Sequence, residues 1–238
     1  MATFTSFASR LPDPNFGIGE DGSSTNSTIV GPGFASVKIT STQPASFNRT
    51  NSGRVITRAI VAQYWSISLS YNPMTREEFE PVYNFLLEKR GRLKPFFVAL
   101  PQNANTRTAT SGTIRTQGTI TSGDTNFIVD NMDNVSGGLR PGDMINFADS
   151  NNSNHKKAYQ VVRVHTSGNK LASDSALNTS DERRIYVVPP VEKDVTDNST
   201  ITYTNPLIRV VQSSDIQEYS LGTNNLYTFS LNLEEAQP

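Results

Sequence analysis

The chain of 238 residues sets 21 Lys and Arg against 22 Asp and Glu, a net charge of −1, and only 18% of it is charged. That balance leaves no basic excess to hold a polyphosphate by counterion release, and the lack of any cysteine removes disulfides, thiol nucleophiles and Cys-ligated zinc together. The length suffices for one large β-domain or two smaller ones, and the abundance of Asn, Ser and Thr suits strands joined by polar turns.

Residues 1–35 are dense in Pro, Gly, Ser and Asn, with Phe4, Phe7 and Phe16 scattered through them and no sustained period. They read as an extended arm, either disordered or ordered by a neighbouring subunit through those three phenylalanines. No basic start leads into an apolar core here, and no run in the chain approaches the roughly 18 apolar residues of a membrane span. A soluble protein made in a cytoplasm is expected. Gly17-Ile-Gly-Glu-Asp-Gly22 matches GxGxxG, but no strand precedes it, no helix follows it, and Glu20 and Asp21 would repel a pyrophosphate.

Val37 and Ile39 open a first strand, and a turn over residues 48–53 leads to strands around 55–60 and 62–71. In the second of these Trp65, Ile67, Leu69 and Tyr71 alternate with Ser66, Ser68 and Ser70, the period of a half-buried strand. Thr75-Arg-Glu-Glu78 then has the form of a capping box. A helix over residues 75–90 follows, with Phe79, Val82, Tyr83 and Leu86 on its apolar face and Gly91 suited to the left-handed position beyond its end. Pro81 is the discordant residue: an interior proline costs about 3 kcal/mol, which predicts a restart or a kink there. Residues 95–100 read as a buried strand, and each core residue of the aromatic strand should contribute roughly 1.5–3 kcal/mol.

Residues 102–118 carry hardly an apolar side chain and read as a linker. Short strands follow around 125–129, 144–147, 159–164, 185–188 and 201–203, punctuated by Gly, Pro, Asn and Asp, the pattern of a small barrel or sandwich. The last run alternates again, Phe229 and Leu231 among its apolar residues, and needs a sheet to join; the first domain is the obvious one. The division expected is therefore the arm at 1–35, a β-sandwich with its helix from 36–106 and 206–238, and an inserted β-domain at 107–205.

The chemistry-bearing residues are dispersed. His155 and His165 are alone of their kind and read as surface or sheet-face residues. No HExxH, GxSxG or GxxxxGK is present. Glu77, Glu78 and Glu80 are explained by a helix start and Glu234 and Glu235 by a chain end, and residues 130–134 lack the register of a calcium loop. No catalytic, cofactor or metal residue is expected. An alternative class is a carbohydrate- or receptor-binding module in the inserted domain, with Tyr159, Tyr186 or Tyr203 exposed to stack on a sugar, against core or sheet packing as the ordinary role of each.

Gly53-Arg-Val-Ile-Thr-Arg58, the aromatic strand Tyr64-Trp-Ser-Ile-Ser-Leu-Ser-Tyr71, the short helix, the turn and strand Arg90-Gly-Arg-Leu-Lys-Pro-Phe-Phe97 and the terminal Leu231-Asn-Leu-Glu-Glu235 come in an order that resembles the distal tail proteins of long-tailed bacteriophages, with lambda M-type minor tail proteins close behind. The resemblance covers residues 36–101 and 206–235. It implies a mainly β fold, a tail-tube-like β-sandwich with one flanking helix plus the inserted domain, and a non-enzymatic structural role. It further implies a hexameric ring of identical copies between the tail tube protein and the baseplate hub, DNA passing through its channel, the insert facing outward, and residence in the virion after assembly in the host cytoplasm.

Overall fold

In the computed structural model, which describes residues 8–18, 31–59, 63–152, 155–166, 171, 174, 176–177 and 180–236, the serine-spaced strand lies inside a sheet with a strand on either side. Fourteen strands and one α-helix are described: β1 (Phe34–Thr42), β2 (Ala45–Arg49), β3 (Val55–Ala59), β4 (Tyr64–Tyr71), α1 (Arg76–Lys89), β5 (Phe96–Ala99), β6 (Ile114–Gln117), β7 (Asn126–Asp130), β8 (Met144–Ala148), β9 (Tyr159–His165), β10 (Arg183–Val188), β11 (Thr200–Thr202), β12 (Leu207–Gln212), β13 (Tyr219–Leu221) and β14 (Tyr227–Glu235). The mainly β class expected from composition and alternation is the one found. Two compact units divide the chain, Met1–Val98 with Arg209–Gln237, and Ala99–Ile208.

The first unit is a curled six-stranded sheet in the order β1-β4-β14-β12-β5, with β13 alongside β14. Leu69 lies opposite Leu231 and Ile67 opposite Leu233, while Ser70 faces Ser230 and Ser68 faces Asn232. Two alternating strands thus share one register, and a slip by one residue would turn every apolar side chain to water. Trp65, Ile67, Leu69, Tyr71, Phe229 and Leu231 are all buried. The Tyr71 hydroxyl is buried with no hydrogen-bond partner among the described residues, and its burial, helped by the charge of Asp13, pushes the phenol well above its ordinary pKa.

Helix α1 begins as its sequence requires. The Glu78 carboxylate accepts from the backbone N–H of Thr75 at 2.9 Å and from its hydroxyl at 3.0 Å, holding the N-terminus closed. The helix runs on through Pro81 in one piece, without the break the proline predicts; only the bond from residue 81 to the Glu77 carbonyl is forgone, and the packing of the apolar face outweighs it. Beyond the helix, Arg90 is already left-handed (φ 54°) and Gly91 follows in the same conformation (φ 62°). A Cβ at Gly91 would stand 2.8 Å from Asp215 Oδ1, so both the backbone angle and the space call for glycine.

The helix face meets the sheet through aromatic rings. Phe79 stacks on Tyr227 with centroids 4.6 Å apart and meets Phe229 edge-on at 5.9 Å; Tyr83 meets Tyr219 edge-on at 5.2 Å, and Phe85 does the same to Phe96 at 5.3 Å. Phe79, Val82 and Leu86 are buried and Tyr83 is half-buried. Gln212 Nε2 donates to the Leu86 carbonyl at 3.0 Å, tying β12 to the helix.

The N-terminal stretch is built into this unit where it is described. Leu11 N–H donates to the Phe97 carbonyl and Phe97 N–H to the Ser9 carbonyl, each at 2.8 Å, so residues 9–11 run along β5 as a parallel neighbour. Leu11 is fully buried, and the buried Lys89 ammonium donates to the Ala8 carbonyl at 2.8 Å. Gly31 lies so close to this segment that a Cβ there would sit 2.5 Å from the Asp13 nitrogen.

The second unit is a closed barrel in the order β10-β7-β6-β11-β8-β9, with all six neighbouring pairs antiparallel. Its first strand, β6, corrects the linker reading of residues 102–118: Ile114 and Thr116 are fully buried, and a barrel six strands round needs this one to close. Ile114, Val129, Ile145, Phe147, Tyr159, Val161, Ile185 and Val187 fill the interior. His155 is fully buried too, against its reading as a surface or sheet-face residue. Its Nε2 lies 2.6 Å from the Tyr159 hydroxyl, which also accepts from the Glu192 N–H at 2.9 Å.

Candidate assembly surface

Strands β2 and β3 form a two-stranded ribbon that pairs with no other strand among those described. Every residue of β2 is exposed, as are residues 55–58 of β3. Thr50 N–H donates to the Arg54 carbonyl at 2.9 Å and Gly53 N–H to the Thr50 carbonyl at 2.8 Å, closing the turn between them. Phe47 pairs with Thr57 and Arg49 with Val55, so residues 47, 49, 55 and 57 share one face. Phe47 is 68% exposed, and Val55 and Ile56 are also exposed. A lone hairpin is marginal in water, and large apolar side chains gathered on one mark a contact surface.

The rest of the first unit carries two more open features. Among the described strands β1 ends the sheet, pairing with β4 alone, so its outer side offers a row of unpaired backbone groups. Residues 215–221 carry exposed Ile216, Tyr219 and Leu221 next to exposed Asp215 and Glu218. This segment is held firmly: Gln217 Nε2 donates to the Leu86 carbonyl at 3.2 Å, and the Tyr219 ring rests 5.0 Å from Phe79.

Of the three phenylalanines expected to reach a neighbour, Phe16 is half-buried with the Arg10 guanidinium 5.1 Å above its ring, and Arg10 is itself paired with Asp13 at 2.6 Å. Phe4 and Phe7 lie outside the described residues, as does part of the GxGxxG stretch. The turn at 48–53 and strand β3 stand where the sequence predicts them; β2, the exposure of the hairpin and the 215–221 segment are not legible there. Phe47, Val55 and Ile56 do stand in the sequence as apolar residues on a strand pattern, but exposure cannot be told from burial by periodicity alone.

The carboxylates and histidines have structural employment. Glu78 caps the helix, Glu80 pairs with Arg76 at 2.6 Å on the surface, and Glu235, read as part of a chain end, is buried and accepts from the Trp65 N–H at 3.1 Å. Asp181 accepts from the N–H groups of Asn131 and Asp133 at 3.0 and 2.6 Å, organising the 130–134 turn without the ligand set of a calcium loop. Among the described residues no group of three or more His, Cys, Asp or Glu is placed to hold a metal ion. Asp174 lies 2.7 Å from the Tyr186 hydroxyl and 3.3 Å from His165 Nδ1; the Tyr186 bond foremost keeps its carboxyl below the usual range.

The tyrosines offered as a sugar platform are placed otherwise. Tyr159 and Tyr203 are buried, and Tyr186 is half-buried with the Arg163 guanidinium 5.6 Å over its ring.

Residues 20–103, which include β1 to β5 and α1, match the family model described as "Distal tail protein pb9, A domain, N-terminal". A curated relative, the distal tail protein pb9 of Escherichia phage T5, is 29% identical over 162 residues, spanning 67% of this chain and 71% of the T5 protein. These matches fall on a β-rich chain whose first sheet has an open edge at β1, and they make the chain similar to the bacteriophage distal tail proteins.

Proposed function

We propose that this tail protein is a ring-forming adaptor between the tail tube and the distal hub, built from six identical copies, with the barrel facing outward and DNA passing through the channel without sequence-specific contact. The observation that carries the reading is the β2–β3 hairpin, an exposed ribbon with Phe47 and Val55 on one face and none of the other described strands beside it. A single copy gains little by holding that ribbon in water; an assembly gains a contact. The free edge of β1 supports the same view, since such an edge is completed by another chain.

The near-neutral charge suits a channel wall that lets a polyanion slide rather than bind. The role is structural and not enzymatic: the described carboxylates and histidines cap, pair and pack. Partners are further copies, the tail tube protein and hub proteins, with assembly in the host cytoplasm before residence in the tail and baseplate. Sedimentation of the purified protein, with negative-stain imaging of the sedimenting species, tests this. A closed ring is the expected result, and a monomer at every concentration overturns it.

A further inference from the structure

Two apolar patches of the first unit remain uncovered, and they differ in charge. Residues 45–59 contain Arg49, Arg54 and Arg58 and no acidic residue. The second patch, residues 215–221, presents Ile216 at 72% exposure with Tyr219 and Leu221, between the carboxylates of Asp215 and Glu218. The nearby Arg92 guanidinium donates to the Ser213 carbonyl and keeps its positive charge close to Asp215, whose carboxylate accepts from the Arg92 N–H, so Glu218 is the carboxylate left to a partner.

We propose that the Phe47 and Val55 face of the β2–β3 hairpin of one copy seats on residues 215–221 of the next copy, with Arg49 against Glu218. The proposal rests on the ring reading above and names the surface that would close it. The patches are chemically complementary, an arginine-bearing apolar face against an acid-bearing one, which steers encounter and fixes orientation. The receiving segment is already fixed on the helix through Gln217 and Tyr219, so little ordering is lost on contact. Because the two patches are different surfaces, the contact is head-to-tail, the kind that generates a ring when the rotation closes. Aromatic and aliphatic anchors with a charged rim are the usual make-up of such contacts.

The absence of cysteine makes the test direct. Phe47→Cys and Ile216→Cys chains are purified separately, mixed and treated with a short bismaleimide. The expected result is a cross-linked dimer in the mixture and none with either variant alone. A ring that forms without this mixed product overturns the contact and leaves the ring reading standing; an unsubstituted chain that stays monomeric at every concentration overturns both. Cross-linking of Phe47→Cys to itself, or in purified tails to a different protein, assigns the hairpin elsewhere and overturns the proposal. As a second arm, Arg49→Glu should weaken self-association about tenfold, and adding Glu218→Arg should restore most of it; no restoration refutes the pairing.

Discussion

In the barrel every strand has a neighbour on both sides, whereas among the described strands the sheet of the first unit stops at β1 and the hairpin beside it in sequence pairs only with itself. The barrel's interior holds Tyr159, Phe147 and Ile145 at almost no exposure, while the hairpin leaves Phe47 largely in water. Closure removes edges, so the barrel buries most of its apolar side chains inside one copy, Val162 and Leu171 excepted. The first unit leaves Phe47, Val55 and Ile56 in water. On the proposed reading stability and recognition lie in different places, and substitutions should separate them.

The largest effect is expected in the barrel interior. Tyr159→Ala removes a fully buried ring that contacts Phe147 at 5.4 Å and the hydroxyl shared by His155 and Glu192, and should cost about 3–5 kcal/mol. Denaturant melts followed by hydrogen exchange of β8 to β10 would measure it, and a loss below about 1 kcal/mol would mean that the barrel is loosely packed. The next effect depends on pH. Burial, aided by the charges of Lys193, Lys156 and Lys157 against the opposing pull of Asp149, lowers His155 to about 4 from its ordinary 6.5. The folded chain keeps His155 neutral while the unfolded chain takes up a proton, so stability is full above pH 6.5 and falls as the pH drops towards 4, by on the order of 3 kcal/mol. A flat melting temperature across that window would sink the assignment.

Smaller effects sharpen the contrast. Tyr71→Phe deletes a buried hydroxyl with no partner among the described residues and should stabilise the first unit by about 1 kcal/mol, read as a raised midpoint in urea with an unchanged slope. Phe47→Ser should change the stability of a single copy by less than about 0.5 kcal/mol while reducing self-association. If instead it melts the first unit, the hairpin is a structural element of one copy and the division between closed and open units fails.

How much of this could be read from the sequence differs by region in the same way. Strands β4 and β14 were legible because serines or polar residues alternate with Trp65, Ile67, Leu69, Phe229 and Leu231 along one half-buried sheet, and α1 because Thr75 and Glu78 cap it. Strand β6 was not, since Ile114 and Thr116 are its only buried side chains and a four-residue strand within a Thr- and Gly-rich stretch looks like a linker. Strand β2, ASFNR, has every residue exposed and so lacks a buried face to leave a period. His155 was misread because it sits among Asn, Ser and Lys in sequence, yet its ring turns to Phe147 and Tyr159. The assembly surface was hidden for a related reason: an apolar residue waiting for another protein has the same letter as one already in a core.

The two margins of the first sheet are treated unequally. Residues 9–11 lie along β5 and use its outward backbone groups, whereas β1 has nothing of the kind among the described residues. A ribbon left bare at both ends could add copies without limit and become a fibre. With residues 9–11 covering the β5 end, the described sheet has one open margin instead of two, so it cannot be extended through both ends at once.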